Sequence, residues 1–373
     1  MVPTQRLPVS LTPLDAARAA LLQRLGLVAP VELPLADALG CVASDMPPLK
    51  PLPPRDVAAL DGWALRARDL AGASSYTPLP LAVSPPWVEA GEPMPEHCDC
   101  VVDAGSLEQA GAMVQVLAEA IPGQGVRRAG EDIAGTTPAI AIGRIVGPCD
   151  LLVARSAGLE RLSVRRPRLR IVNVPSSSGQ AVTAALISES ARAAGAAVVC
   201  TEAIGRDAAS IADALVTDAC DLLVTIGGSG VGRTDATIAA LDRRGEVSAH
   251  GIALQPGRTS AVGRIGETPV VALPGAPDQA LGAWWMLALA ALDRLSGRGP
   301  RAKQTWPLKR KIASYVGIAE IVLLERADET WLPLAAGDLS LGAIARADGW
   351  LVVPGGSEGF AVGAPVDAYI LRD

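Results

Sequence analysis

The chain reads as a multidomain α/β protein, and three observations carry that reading. From Pro167 onward, short apolar runs alternate with helical periods, which implies a mostly parallel sheet covered on both faces. Within that region Asp221–Asp235, DLLVTIGGSGVGRTD, joins a buried-strand pattern to a helix through closely spaced glycines. On either side, residues 46–147 and 298–373 break into short apolar pairs punctuated by Pro and Gly, the texture of small β-rich lobes.

The elements follow in order. Apolar residues at helical spacing from Leu14 to Leu25, after Thr12-Pro13, predict a helix. Val31–Leu39 reads as a second short amphipathic element. The run PPLKPLPPRD then leads into Val57–Ala67 and the turn-rich stretch that lasts to about Gly147. Leu169–Val174, Ala196–Cys200, Asp221–Ile226 and Val270–Leu273 are strand-like. Val182–Ala193, Ala208–Thr217, Thr237–Arg243 and the long stretch Asp278–Leu295 are helical. After Gly297-Arg-Gly-Pro the short strands and turns such as PGGSEG suggest a small β-barrel. Four regions result: a helical and linker region, 1–45, continued by 148–166; a β-rich lobe, 46–147; the α/β domain, 167–297; and the barrel, 298–373.

Composition narrows the function. A length of 373 residues suits two or more domains, and 50% hydrophobic content supplies their cores. With aromatics at 3%, those cores must be built from Ala, Val, Leu and Ile. A net charge of −6 offers no basic surface for nucleic acid. MVPTQRLPVSLTP lacks a signal-peptide pattern, and Leu281–Leu292 is too short for a membrane span of ~20 residues, so a soluble cytoplasmic protein is expected. Cys41, Cys149, Cys200 and Cys220 stand singly among apolar residues, where buried thiols are common. His97-Cys98-Asp99-Cys100 lacks zinc-ligand spacing and reads as a strand leading into Val101-Val102. With two histidines in all, histidine-based catalysis is improbable.

A glycine turn between strand and helix brings backbone N–H groups close to an anion, and the helix N-terminus adds positive potential. Two such turns, Gly227–Gly232 and Pro274–Pro277, fall where ligands sit in parallel sheets. A plain tight connection is the competing explanation. Asp61 beside Gly62, Asp132 in Gly130-Glu131-Asp132-Ile133, and Asp207 after Gly205-Arg206 each carry a carboxylate at a turn or helix start. Turn formation and helix capping are the ordinary roles of such residues.

In order along the chain, these pieces resemble the molybdopterin molybdotransferase family, the molybdenum insertases that include the gephyrin E domain. PLPPRDVAALDGWA matches a proline-rich run followed by an Asp-Gly-Tyr-Ala-like motif, and Gly130–Ile133 matches Gly-Glu-Asp-Ile. IGGSGVGRTD is similar to a Ser-Gly-Gly-Val-Ser-Val-Gly-x-x-Asp loop. Gln255-Pro256-Gly257-Arg258-Thr259 stands for Lys-Pro-Gly-Lys-Pro, and Leu273–Pro277 for Leu-Pro-Gly-Asn-Pro. GDLSLGAIARADGWLVVPGGSEG resembles the family's last domain, so the likeness spans nearly the whole chain.

The resemblance implies a three-layer α/β domain that binds molybdopterin, and an elongated homodimer whose site is shared between subunits. Adenylylated molybdopterin and molybdate would be the substrates, the adenylate being hydrolysed as molybdenum enters, with Mg²⁺ as the metal. Catalytic roles would fall to Asp61, Asp132, Asp207 and Asp235, the last two also holding the metal, for which carboxylate oxygens suit. Gly227, Gly228, Ser229, Gly230, Val231 and Gly232, with Pro274, Gly275 and Pro277, would cradle the ligand. Arg258 would hold the phosphate. A molybdoenzyme or another cofactor-synthesis protein would be a further partner.

The departures are local. Val174-Pro175-Ser176-Ser177-Ser178-Gly179-Gln180 lacks the family's acidic pair and much of its loop; Ala90 replaces a threonine, Gln255 a lysine and Gly230 the loop serine. They leave a second reading beside the enzyme: a catalytically weakened protein that binds molybdopterin or the finished cofactor as a carrier or chaperone, which the four retained aspartates oppose. A nucleotide-dependent oxidoreductase fits less well, because Gly228-Ser-Gly230-Val-Gly232 is not G-x-G-x-x-G and no Gly-Lys-Ser/Thr occurs.

Overall fold

The computed structural model describes residues 5–46, 48–111, 113–136, 138–175 and 181–372. The chain forms two compact units. One comprises Met1–Asp45, Ala141–Pro148 and Arg161–Asp373; the other comprises Met46–Ile140 and Cys149–Glu160.

The first unit is built on a six-stranded sheet. Its order is Ala197–Glu202, Arg168–Asn173, Leu222–Ile226, Thr268–Leu273, Ala261–Ile265, Glu246–His250. The first four strands are parallel and the last two pairings antiparallel. Alternate side chains serve opposite faces, as the pleat requires. Ile171, Val224 and Val271 pack with Ala184 and Ile187 of helix Val182–Ala193, Ala17 and Leu21 of Leu14–Leu22, and Leu287 of the long C-terminal helix. Val172, Leu223 and Val270 turn the other way, onto Ile211 of helix Ala208–Ala214 and Leu241 of Thr237–Arg244. Helices flank both faces, giving the three-layer arrangement expected.

The C-terminal strands close into a barrel. Ala319–Ala327 pairs with Thr330–Ala336 and Gly349–Val353; the order then runs through Pro365–Ile370 to Lys303–Pro307. A bridge from Leu308 to Trp331 returns to the starting hairpin. Val322, Leu324, Trp331, Leu351 and Val366 fill the interior. Ile252–Gln255 pairs in parallel with the start of Ala319–Ala327, so the barrel fixes the strand that leads into Pro256–Ser260.

The second unit places Gly62–Leu65 between Trp87–Val88 and Cys100–Val102. Beside them lies a three-stranded antiparallel sheet in the order Ser74–Leu81, Met113–Ala118, Leu107–Ala110. Leu65, Leu70, Cys100 and Val116 form its core, and Trp63 meets Trp87 edge to face at 5.1 Å.

Several local expectations are corrected. Val31–Leu39 is a strand, Val31–Pro34, followed by the short helix Leu35–Ala38, because Arg161–Arg165 is there to pair with the strand. The helix expected over Ala208–Thr217 ends at Ala214, and the strand expected over Ala196–Cys200 runs to Glu202. His97–Asp99 lies outside the strand Cys100–Val102. Cys149 and Cys200 are exposed, whereas Cys41 and Cys220 are buried. Glu246–His250, Ile252–Gln255 and Ala261–Ile265 were invisible to apolar periodicity because their first strand is half exposed and bulged and their last contains Gly263 and Arg264. Among the described residues no helix is long and apolar enough to cross a membrane.

Candidate functional site

Beyond the carboxyl ends of Arg168–Asn173, Leu222–Ile226 and Thr268–Leu273 the first unit opens into a cavity of about 840 Å³. The strand ends are held level there: Val174 donates to Ile226, and Gly227 to Leu273, each at 2.9 Å. Gly227 and Gly228 then take φ of 93° and 68°, the left-handed region that glycine enters without strain. The two turns approach so closely that a Cβ on Gly275 would lie 3.4 Å from the Cα of Gly227. Thr237 Oγ1 donates to the Gly227 carbonyl at 2.8 Å and fastens the loop to the next helix.

Two helices begin at this cavity without a side-chain cap. Ala181 and Thr183, at the start of Val182–Ala193, line the wall, and Thr183 Oγ1 donates to Gly275 at 2.7 Å. Ala276 stands at the head of Pro277–Ala283, which continues through Trp284–Ala288 to Ser296. First-turn N–H groups without a side-chain cap, together with the helix dipole, favour an anion at both ends. Arg258 and Arg206 add full charges to the same wall. Arg206 donates to the Pro175 carbonyl and pairs with Asp235 at 3.2 Å. Its Nε, like the buried Ser229 Oγ, has no hydrogen-bond partner among the described residues.

Seven of the expected residues line the cavity: Gly227, Gly228, Gly230, Asp235, Arg258, Pro274 and Gly275. Four do not. Ser229 is buried behind the loop, its carbonyl 3.0 Å from His250 Nε2. Val231 is exposed, Gly232 lies past the cavity wall, and Pro277 is the first residue of its helix. Within Gly227–Gly232 only Gly227 and Gly228 take left-handed backbone. Gly230 and Gly232 are constrained differently: a Cβ there would lie 2.6 and 2.9 Å from the Asp235 carboxylate. Burial lowers the His250 pKa from its ordinary 6.5, against the opposing pull of the Ser229 carbonyl.

The aspartates separate by role. Asp235 accepts from Gly232 N at 2.9 Å and pairs with Arg206, so it both closes the loop and orients a cation. Asp207 is the N-cap of Ala208–Ala214, accepting from Ala209 N and Ser210 N at 3.0 Å and from Ser210 Oγ at 2.6 Å. The Ser210 hydroxyl and amide hold its carboxyl below the usual range. In the second unit Asp61 accepts from Ala90 N at 2.7 Å, and Asp132 forms an exposed ion pair with Arg127 at 3.3 Å. Among the described residues no three His, Cys, Asp or Glu side chains gather as a metal site. The shortened loop without its acidic pair falls on Ser176–Gln180, which lie outside the described residues.

Sequence reasoning passed over four contributors. Arg206 was overshadowed by its neighbour Asp207, although an arginine beside a glycine turn was a usable signal. Thr183 and Gln279 sit inside helical patterns, yet Gln279 Oε1 accepts from Gly257 N at 2.9 Å. Gln5 gave no signal at all. Its Nε2 donates to Gly230 O at 2.6 Å and Gly228 O at 3.4 Å, while its Oε1 accepts from Ile238 N at 3.2 Å.

Comparison with known proteins is consistent along the chain. The MoeA N-terminal region (domain I and II) matches residues 12–158, and a probable molybdopterin binding domain matches 156–294. A protein named molybdopterin molybdenumtransferase 2 from Mycobacterium tuberculosis H37Rv is 33% identical over 294 residues, 68% of this chain and 72% of that one. A molybdopterin molybdenumtransferase from Synechococcus elongatus is 25% identical over 88% of this chain and 91% of its own length. The fold matches the crystal structure of the molybdopterin biosynthesis MoeA protein of Pyrococcus horikoshii OT3 with a TM-score of 0.74 at 20% identity, covering 97% of this chain and 100% of that one.

Proposed function

Because the chain belongs to the molybdopterin molybdenumtransferase family, we propose that it inserts molybdate into adenylylated molybdopterin, hydrolysing the adenylate, as a step of molybdenum cofactor biosynthesis. The observation that carries this reading is the cavity where two uncapped helix N-termini and the Gly227–Gly230 turn meet beside Arg206 and Arg258. Such a wall suits a phosphoanhydride: several donors converge on its oxygens without a compensating carboxylate other than Asp235. Asp235 keeps Arg206 aimed into the cavity, and the guanidinium stabilises negative charge that grows on phosphate oxygens as the anhydride opens.

The residues present do not fit a preformed Mg²⁺ site. Asp207 is consumed by its own helix, and Asp235 is already partnered by Arg206 and Gly232. Mg²⁺ commonly binds one or two carboxylates together with substrate phosphates, and no step here is routed through it. Homodimerisation, a cytoplasmic setting and delivery of product to a molybdoenzyme belong to the same reading. So does a role for Asp61 and Asp132 supplied by a partner subunit. A carrier or chaperone role is not favoured over the enzyme, since the relatives are named as molybdenumtransferases.

The test is AMP release by the purified chain given adenylylated molybdopterin, molybdate and Mg²⁺. The parent releases AMP, Arg206→Ala slows release at least about tenfold through loss of a charged hydrogen-bond donor, and mixing Asp61→Asn with Asp235→Asn chains raises activity above that of either alone. Release that is unchanged in Arg206→Ala contradicts the site, and mixtures no more active than either chain alone contradict the shared dimer.

A further inference from the structure

A second cavity, of about 630 Å³, lies in the first unit away from the glycine turns. Five cationic side chains line it, Arg18, Arg294, Arg298, Arg301 and Lys303, against one carboxylate, Asp293. Asp293 is spoken for: both its oxygens accept from Arg301, at 2.8 and 2.7 Å. The lining thus carries four more cations than carboxylates, five against one, in a chain whose net charge is −6. Arg298 is the most telling of them. It is partly buried, and burial first, then the charge of Arg301, pushes its guanidinium below the ordinary value against the opposing pull of Asp293.

The floor of the same cavity is aromatic. Trp285 stacks on Trp350 at 4.6 Å and 7°, Trp350 stacks on Tyr369 at 4.5 Å, and Lys303 Nζ lies 4.7 Å over the Tyr369 ring. Trp350 is covered on both faces and Tyr369 by Lys303, whereas Trp285 is only partly buried. Trp285 and Met286 reach the cavity from the π-helical turn Trp284–Ala288 within the long helix. Such turns occur mostly as single insertions in α-helices and are frequent at functional sites.

From this juxtaposition of an aromatic stack and a surplus of arginines, we propose that the cavity is a second ligand site, for an aromatic ring carrying phosphate groups, the class of nucleoside phosphates. The ring extends the stack at Trp285, as offset stacking and cation–π contacts favour. The phosphates sit against Arg298 and its cationic neighbours, where a charged acceptor relieves the partly buried guanidinium. The site shares no lining residue with the glycine-turn cavity, so it stands or falls apart from the molybdenum chemistry.

The test is titration of the full chain with ADP, pyrophosphate and adenosine, read by tryptophan emission and by calorimetry. No tryptophan lines the first cavity, so quenching reports the second. ADP quenches the parent and binds more tightly than either pyrophosphate or adenosine. Arg298→Glu weakens ADP binding at least about tenfold, the loss of a charged hydrogen bond, and Trp285→Phe removes most of the quench. Lys303→Glu, at an exposed position, gives the same direction should Arg298→Glu fail to fold. The proposal is overturned by a parent that ADP does not quench, by pyrophosphate displacing the ADP quench at concentrations as low as ADP itself requires, by an ADP quench midpoint unchanged in the folded variants, or by a second copy of the chain closing the cavity.

Discussion

Asp207 and Asp235 look alike in sequence, each an aspartate between a strand and a helix, yet their hydrogen bonds divide them. All the acceptor capacity seen on Asp207 goes to the first turn of its own helix, which is what an N-cap does. Asp235 instead ties Gly232 and Arg206 into the cavity wall. Asparagine caps nearly as well as aspartate but carries no charge. Asp207→Asn therefore leaves both melting temperature and AMP release close to the parent. Asp235→Asn keeps an acceptor for Gly232 and melts normally, but frees Arg206 and lowers AMP release. Paired calorimetry and AMP assays separate the two, and equal effects on release would undo the assignment. The sequence could not distinguish them because capping and catalysis ask for the same residue type at the same place. Arg206 makes Asp235 different: it was signalled only by its place beside a glycine turn, and its pairing with the Asp235 carboxylate and the Pro175 carbonyl comes from the fold.

At the scale of elements, the glycine turn is shaped by two different constraints. Gly227 and Gly228 need left-handed backbone, and a Cβ on Gly228 would also strike Thr237 Oγ1. Gly230 and Gly232 need only room beside Asp235, whose side chain can yield. Gly228→Ala is accordingly expected to destabilise the protein by ~1–3 kcal/mol, strain at a special backbone position, and to weaken pterin binding. Gly230→Ala costs less than Gly228→Ala, and a denaturant midpoint for each checks the order. The reverse order would mean that the loop is held by Asp235 and not by its backbone. The parallel strands and their helices were readable because each is a continuous apolar run or a clear helical period. The antiparallel edge was not, since Glu246–His250 is half exposed and Ala261–Ile265 is interrupted by Gly263 and Arg264. Nor could any local pattern show that Gln5, from the start of the chain, would bind the loop carbonyls and the N-terminus of Thr237–Arg244.

At the scale of the molecule, aromatic scarcity has a structural counterpart. Ala, Val, Leu and Ile build both layers of the central sheet, while several of the few tryptophans are concentrated in the barrel and the aromatic stack beside the long helix. The order of motifs, more than any one of them, made the family legible, because six weak signals in a fixed sequence constrain the topology together. What stayed hidden is chemistry set by partners distant in sequence: the Arg206–Asp235 pair, the two uncapped helix starts and the basic aromatic cavity. The central claim is that the cavity at the strand ends holds the phosphoanhydride of adenylylated molybdopterin. Equilibrium binding of that molecule to the parent and to Arg258→Ala, with folding of both verified by thermal melting, tests it most directly. The account predicts saturable binding to the parent, weakened at least about tenfold in Arg258→Ala by loss of a charged phosphate contact. Equal affinity for the two proteins, or no binding to the parent, would contradict it.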